Sequence, residues 1–190
     1  MEKIKIEIEK YIPFNEQEEK DKKLILEILE RENDILTRNN KKYHFTVSAW
    51  IVSSDRKKVL MCYHNLYNSW AWLGGHVDGD SNLKRVILKE VKEESGITDI
   101  KFLSEDIFSL EILTVSGHIK RGEYVSSHLH LNATFLLEAD TNLKLSIKPD
   151  ENSGLEWIDV DDISTKSTEK WFVDNIYSKL TKKVKKYIKL

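Results

Sequence analysis

The sequence predicts an α/β or α+β sandwich in which helices pack on a mixed β-sheet. Three observations carry that reading: short β-like segments on both sides of the chain's middle, one strongly helical stretch between them, and an amphipathic helix near the C-terminal end.

The elements follow in order. Ile4, Ile6 and Ile8 alternate with charged residues and read as a short strand. Asn15 then precedes a charged stretch in which Leu24, Ile25, Ile28, Leu29, Ile35 and Leu36 recur at helical spacing, so an amphipathic helix is expected there. A polar cluster at 37–42 ends it. Residues 1–42 are therefore read as an N-terminal extension and 43–190 as the main domain. Strand-like stretches or turns follow at 45–52, 59–64 and 70–73, the last stopped by Gly74 and Gly75. Over 82–95 the period becomes helical. Leu83, Val86, Ile87 and Val91 form the apolar stripe, Gly96 stands in the position of a left-handed cap, and Ile97 is expected to pack back onto the helix. Two longer β-like segments come next at 107–115 and 127–137, then shorter ones at 143–147 and 155–158. The final helix presents Trp171, Phe172, Ile176, Leu180, Val184 and Ile188 opposite several lysines.

Composition narrows the class. The chain has 190 residues, 40% apolar and 33% charged, which is long enough to bury a core. Only 2 Pro and 7 Gly argue against a linker or a collagen-like repeat, and no apolar run approaches the roughly 18 residues of a membrane span. Cys62 is the only cysteine, which excludes an internal disulfide framework and a cysteine-cluster metal site. Residues 1–10 lack the apolar block of a secretory signal, so a cytoplasmic location is expected. A net charge of −2 gives no reason to expect a specific nucleic acid or a membrane as partner. The lysines of the last helix read as hydrated groups that complement its dipole.

The most informative stretch is 74–97, GGHVDGDSNLKRVILKEVKEESGI. At 100° per residue, Glu90, Glu93 and Glu94 share one face of the helix. Such a face is either a solvated one, neutralised by lysines such as Lys89, or a site for cations. The surroundings favour cations: a glycine pair follows a strand, and Asp78 and Asp80 lie in the turn. Hard divalent ions take several oxygen ligands and share them with phosphates. An acidic pocket holds an anionic phosphoanhydride only when cations first invert its charge.

These residues resemble the Nudix hydrolases, whose box runs Gly, five residues, Glu, seven residues, Arg-Glu, an apolar residue, any residue, Glu-Glu, any residue, Gly and an apolar residue. Gly75, Glu90, Val91, Glu93, Glu94, Gly96 and Ile97 match in register. Ser81 stands in place of the first Glu and Lys89 in place of the Arg. The context from about 43 to 162 also resembles that family, which implies a Nudix-type α/β/α sandwich. The resemblance further implies a divalent-metal-dependent pyrophosphohydrolase, using Mg²⁺ or Mn²⁺, that cleaves a phosphoanhydride in a nucleoside diphosphate linked to another moiety or in a similar small metabolite. It makes Glu90, Glu93 and Glu94 the metal-binding carboxylates, with Gly75 offering its carbonyl. The general base is then Glu90 or Glu93, or an acid from a later loop, for which Glu123 is the first candidate. Asp78 or Asp80 is expected to compensate for Ser81.

Substrate contacts are expected from Trp70, His76, Lys120, Arg121, His128 and His130. His128, His130, Asn132 and Thr134 form the polar face of one strand, which either lines a cleft or faces water. Two histidines at period two also suit a metal if a third ligand joins them. Two other functions stay open: a catalytically impaired nucleotide sensor, motivated by Ser81 and Lys89, and an isoprenoid diphosphate isomerase, which needs a placed cysteine. The extension is expected either to cover the sheet or to build a homodimer.

Overall fold

A computed structural model describes residues 1–120 and 122–187. Arg121, expected at a phosphate clamp, and Ile188, expected at the end of the last apolar stripe, lie outside the described residues. The elements in chain order are α1 (Glu2–Lys10), α2 (Glu16–Arg31), β1 (Tyr43–Val52), β2 (Lys58–His64), β3 (Ser69–Ala71), β4 (Leu73–His76) and α3 (Leu83–Ser95). There follow β5 (Lys101–Phe102), β6 (Ser109–Val115), β7 (His118–Lys120), β8 (Glu123–Val125), β9 (His128–Glu138), β10 (Asn152–Asp159), α4 (Ile163–Lys166), α5 (Lys170–Phe172), a π-helical turn (Val173–Tyr177) and α6 (Ser178–Tyr187). The fold is mixed α+β, as expected. β1 and β9 run parallel, since Leu129 N–H meets Lys42 O near their starts and Ala139 N–H meets Val52 O near their ends, while the other registered strand pairs are antiparallel.

The chain forms two compact units. The first comprises Met1–Ser48, Gly74–Ile87 and Asp106–Phe135. Here the N-terminal segment differs from expectation: residues 2–10 are helical, not a strand. Apolar residues at 4, 6 and 8 satisfy a period of two, but 4 and 8 are also one helical turn apart. Ile4 and Ile8 are fully buried while Ile6 is 40% exposed, the signature of the helical solution. Asn15 caps α2 by accepting from Glu18 N at 3.0 Å, and Glu16, Glu18 and Glu19 sit in its positive first turn. Helix α2 meets β6: Asp21 accepts the Ile112 amide at 3.0 Å, satisfying an edge strand.

β6 pairs with β9 from Ser109↔Thr134 to Val115↔His128. β4 lies on β1, so Gly74 and Gly75 continue a strand and do not stop one. A side chain at Gly74 would put its Cβ 2.2 Å from Val47 O, so only glycine permits this approach. The polar face of β9 is split. Asn132 and Thr134 neither face water nor line a cleft: Thr46 and Ser48 of β1 both donate to Asn132 Oδ1 at 3.0 Å, and Asn132 and Thr134 donate to the buried Glu111 at 3.1 and 3.0 Å. Ser109 bridges Glu111 and the equally buried Glu18, which also accepts from Tyr11. These polar groups are tolerated inside because they satisfy one another.

The second unit comprises Ala49–Leu73, Leu88–Glu105 and Leu136–Leu190. β10 pairs along the whole of β2, β3 pairs with its second half, and the end of β1 meets its start at Val52↔Val59. β5 adds to the end of β9, where Glu138 forms ion pairs with Lys101 and Arg56. Residues 143–147 do not form a strand; Ser146 N–H instead donates to Ser95 O at 2.9 Å, closing the C-terminal end of α3. Trp50, Trp72, Phe172 and Tyr177 make an aromatic cluster with ring centroids 5.6–6.1 Å apart. Trp72 is thus packing. Trp171, assigned to the apolar stripe, is 53% exposed, and Lys179 and Lys183, assigned to the hydrated face, are buried. Ile176, Leu180 and Val184 of the expected stripe are buried, and the π-helical turn, which inserts a residue into the helical repeat, changes the phase between them and Trp171.

Candidate active site

Helix α3 starts on a well-made cap. Asn82 Oδ1 accepts Arg85 N–H at 3.2 Å, and Asp80 Oδ1 accepts Asn82 N–H at 2.8 Å. It ends at Gly96, whose φ of +75° is the left-handed conformation expected there, followed by the buried Ile97. Leu83, Val86, Ile87 and Val91 are buried, so the opposite faces of the helix are set.

That phase fixes the carboxylates. Glu90 and Glu94 are buried, Glu94 being only 3% exposed, and Glu93 is partly accessible. Lys89 Nζ lies 3.5 Å from Glu93 Oε1 and 3.9 Å from Glu90 Oε1, so one ammonium reaches both acids. Lys148 Nζ, from the loop before β10, lies 3.3 Å from Glu93 Oε2 and 3.1 Å from Glu151 Oε1. Asn152 donates to Glu94 O at 3.0 Å and ties that loop to the helix. Burial raises the Glu90 carboxyl above its ordinary value, with Lys89 opposing. Burial acts the same way on Glu93, but Lys148 and Lys89 outweigh it and hold the group below its ordinary value. Glu90, Glu93 and Glu151 with Lys89 and Lys148 make a charged, oxygen-rich patch on and beside α3, and carboxylate oxygen is the donor that hard divalent cations take. Glu151 and Lys148 were missed by sequence reasoning. Neither belongs to a motif, and only the fold of the 143–152 loop brings them to α3.

The remaining candidates divide between the units. Trp70 sits on β3 in the second unit, edge-on to Tyr63 at 5.5 Å, with Lys166 Nζ 5.8 Å from its ring centre. In the first unit, Gly75 and His76 lie in β4 and Lys120 and Glu123 face each other across the exposed β7–β8 hairpin. His76, His128 and His130 come together with His44. Asp78 and Asp80 do not stand free to replace Ser81: Arg38 grips Asp78 at 2.9 and 2.7 Å, and Arg85 grips Asp80 at 2.8 Å on both oxygens. Cys62 is buried, which pushes its thiol well above the ordinary range, and it donates to Trp72 O at 3.7 Å. It is an inert packing thiol.

Glu90, Glu93 and Glu94 thus stand on one capped helix of a mixed α+β fold. The comparisons name it. The NUDIX domain profile matches residues 42–180, and the chain belongs to the NUDIX family; it is a Nudix-type pyrophosphohydrolase. The fold resembles the MutT protein from Methanosarcina mazei Go1, with a TM-score of 0.59, 19% identity, and 77% of this chain covering 98% of that one. An Ap4A hydrolase from C. elegans in a binary complex gives a TM-score of 0.54 at 17% identity, 76% of this chain covering 96% of that one. A NUDIX family hydrolase from Clostridium perfringens gives 0.51 at 22% identity, with coverages of 75% and 96%. No curated protein sequence matches the chain. Among the described residues no helix is long and apolar enough to cross a membrane.

Proposed function

We propose that the protein is a divalent-metal-dependent hydrolase of a phosphoanhydride in a small diphosphate metabolite, such as a nucleoside diphosphate linked to another group. The observation that carries this reading is that buried Glu90 and exposed Glu93 on α3, with Glu151 beside them, lie against the Lys89 and Lys148 ammonium groups, while buried Glu94 stands on the same helix. Glu90, Glu93 and Glu94 would hold Mg²⁺ or Mn²⁺, with Gly75 contributing its carbonyl. When bound, the cation supplies neutralisation of phosphate charge and activation of the attacking water. Glu90 or Glu93 would act as the general base toward the attacking water. Glu123 is the later-loop base the sequence nominates, while Glu151 is the later-loop acid joined to Glu93 through Lys148. Lys148 holds Glu93 in position. Trp70, His76, Lys120, Arg121, His128 and His130 are proposed substrate contacts, and residues 1–42 an extension of a cytoplasmic enzyme. The C. elegans neighbour is an Ap4A hydrolase, and a nucleotide-derived substrate is the reading adopted by analogy with it.

A panel of diphosphate-containing nucleotides and metabolites assayed for product release with Mg²⁺ tests this. Turnover of at least one compound is expected, abolished by chelator and lowered at least about 100-fold in Glu93→Gln with the circular dichroism unchanged. Binding without turnover across the panel would establish the sensor reading in its place.

A further inference from the structure

His44 on β1, His76 on β4 and His130 on β9 converge within the first compact unit, although 32 and 54 residues of sequence separate them in turn. One ring nitrogen from each lies within 4.8 Å of the others. His128, two residues before His130 on the same strand, joins them: its Nε2 is 3.2 Å from His130 Nε2. Ring centroids of His44 lie 5.0, 4.9 and 5.0 Å from those of His76, His128 and His130. Four imidazoles packed this closely are not explained by apolar packing, nor by the carboxylate site on α3.

The tautomers point inward. His44 Nδ1 is 3.1 Å from Asn40 O and must donate to it, because a carbonyl only accepts. That leaves Nε2 of a neutral ring with a lone pair. His44 is 96% buried by its 4% exposure, and Nε2 has no hydrogen-bond partner among the described residues. A buried acceptor left unmet costs about 1–3 kcal/mol, so a native structure normally gives it a partner. His128 repeats the arrangement, with Nδ1 2.8 Å from Ser126 O and Nε2 turned to the cluster. A backbone carbonyl orienting one ring nitrogen while the other is presented is the usual support of a metal-ligating histidine.

We propose that His44, His76 and His130 bind a transition-metal ion, Zn²⁺ in the first instance, with His128 in reach of the fourth position. The donor chemistry selects the ion. Neutral imidazoles suit Zn²⁺ and its borderline neighbours, whereas Mg²⁺ requires oxygen, so this site is separate in kind from the carboxylate cluster. Zn–N bonds of about 2.0–2.1 Å at tetrahedral angles place ligand nitrogens about 3.3–3.4 Å apart. The 3.2 Å between His128 and His130 meets that spacing, and the 4.8 Å limit on the triad requires only side-chain adjustment. Bound metal would tie β1, β4 and β9 together within their unit.

Cobalt serves as the probe. The full-length protein, stripped by chelator, is titrated with Co²⁺ and then Zn²⁺. The proposal expects stoichiometric uptake with the intense visible bands of a four-coordinate ion, displaced by Zn²⁺, and a higher melting temperature with Zn²⁺. The bands should fall at least about tenfold in His76→Gln and in His130→Gln, and persist in Glu93→Gln/Glu94→Gln, which damages the hydrolytic site only. X-ray absorption of the Zn²⁺-loaded wild type, which needs no variant to fold, should show imidazole nitrogen in the inner sphere. Absent bands, bands that survive in folded His variants, or an all-oxygen inner sphere would overturn the proposal. None of these readouts depends on turnover, so the metal proposal is decided separately from hydrolysis; a metal held by His76 and His130 would replace their proposed role as direct substrate contacts.

Discussion

Glu90 and Glu93 lie one turn apart and share the Lys89 ammonium, yet burial raises one carboxyl and lysine pairing lowers the other. Such contrasts are local and can be tested one side chain at a time. At Glu138, Lys101 foremost and then Arg56, against burial, hold the carboxyl below its ordinary value. Because the folded value is the lower one, the contribution is complete above the unfolded value of about 4.3 and is lost as pH falls through the folded value. Glu138→Gln should therefore cost about 1 kcal/mol in urea unfolding at pH 7, discounted for solvent screening, and the gap from wild type should close in more acidic buffer. A constant gap across pH would refute the ion-pair assignment. Gly74→Ala should cost about 1–3 kcal/mol or more, since its Cβ would meet backbone that cannot swing aside. At this scale the sequence showed Glu90, Glu93, Glu94 and Gly96 well, because their spacing matches a helix and its cap. It did not show His44. A signal existed, for His44, Thr46 and Ser48 alternate on β1 as His128, His130, Asn132 and Thr134 do on β9, but pairing the two faces requires knowing the strand order.

Elements were legible where one period dominated. Helix α3 and β9 emerge with boundaries within one residue of those expected, β10 starts three residues earlier than expected, and α1 replaces an expected strand because an isoleucine at every second position satisfies two geometries. The helical solution makes a sharp forecast. Ile4→Ala and Ile8→Ala should each lose about 2–5 kcal/mol in chemical denaturation. Ile6→Lys should stay within about 0.5 kcal/mol, whereas a strand burying that face would penalise all three alike. The 143–147 segment shows the converse. Its apolar alternation suits a strand, but its backbone is spent on the end of α3. The last helix departs from its pattern at the π-helical turn, which no local composition announces.

For the molecule as a whole, length, low Pro and Gly content and alternating periods sufficed for the α+β class, and the box sufficed for the NUDIX family. What composition could not supply was long-range convergence: the buried Glu18–Ser109–Glu111 network under α2, and the lysine and acid that the loop before β10 brings to α3. The central claim is that the α3 carboxylates are a cation site. Electron paramagnetic resonance of Mn²⁺ measures this directly, because the sharp signal of the aqueous ion vanishes on binding. Chelator-treated protein should quench that signal stoichiometrically, with Glu93→Gln/Glu94→Gln restoring it and His76→Gln leaving it quenched. A signal unchanged by wild-type protein, or quenched equally by the double glutamate variant, would contradict the account.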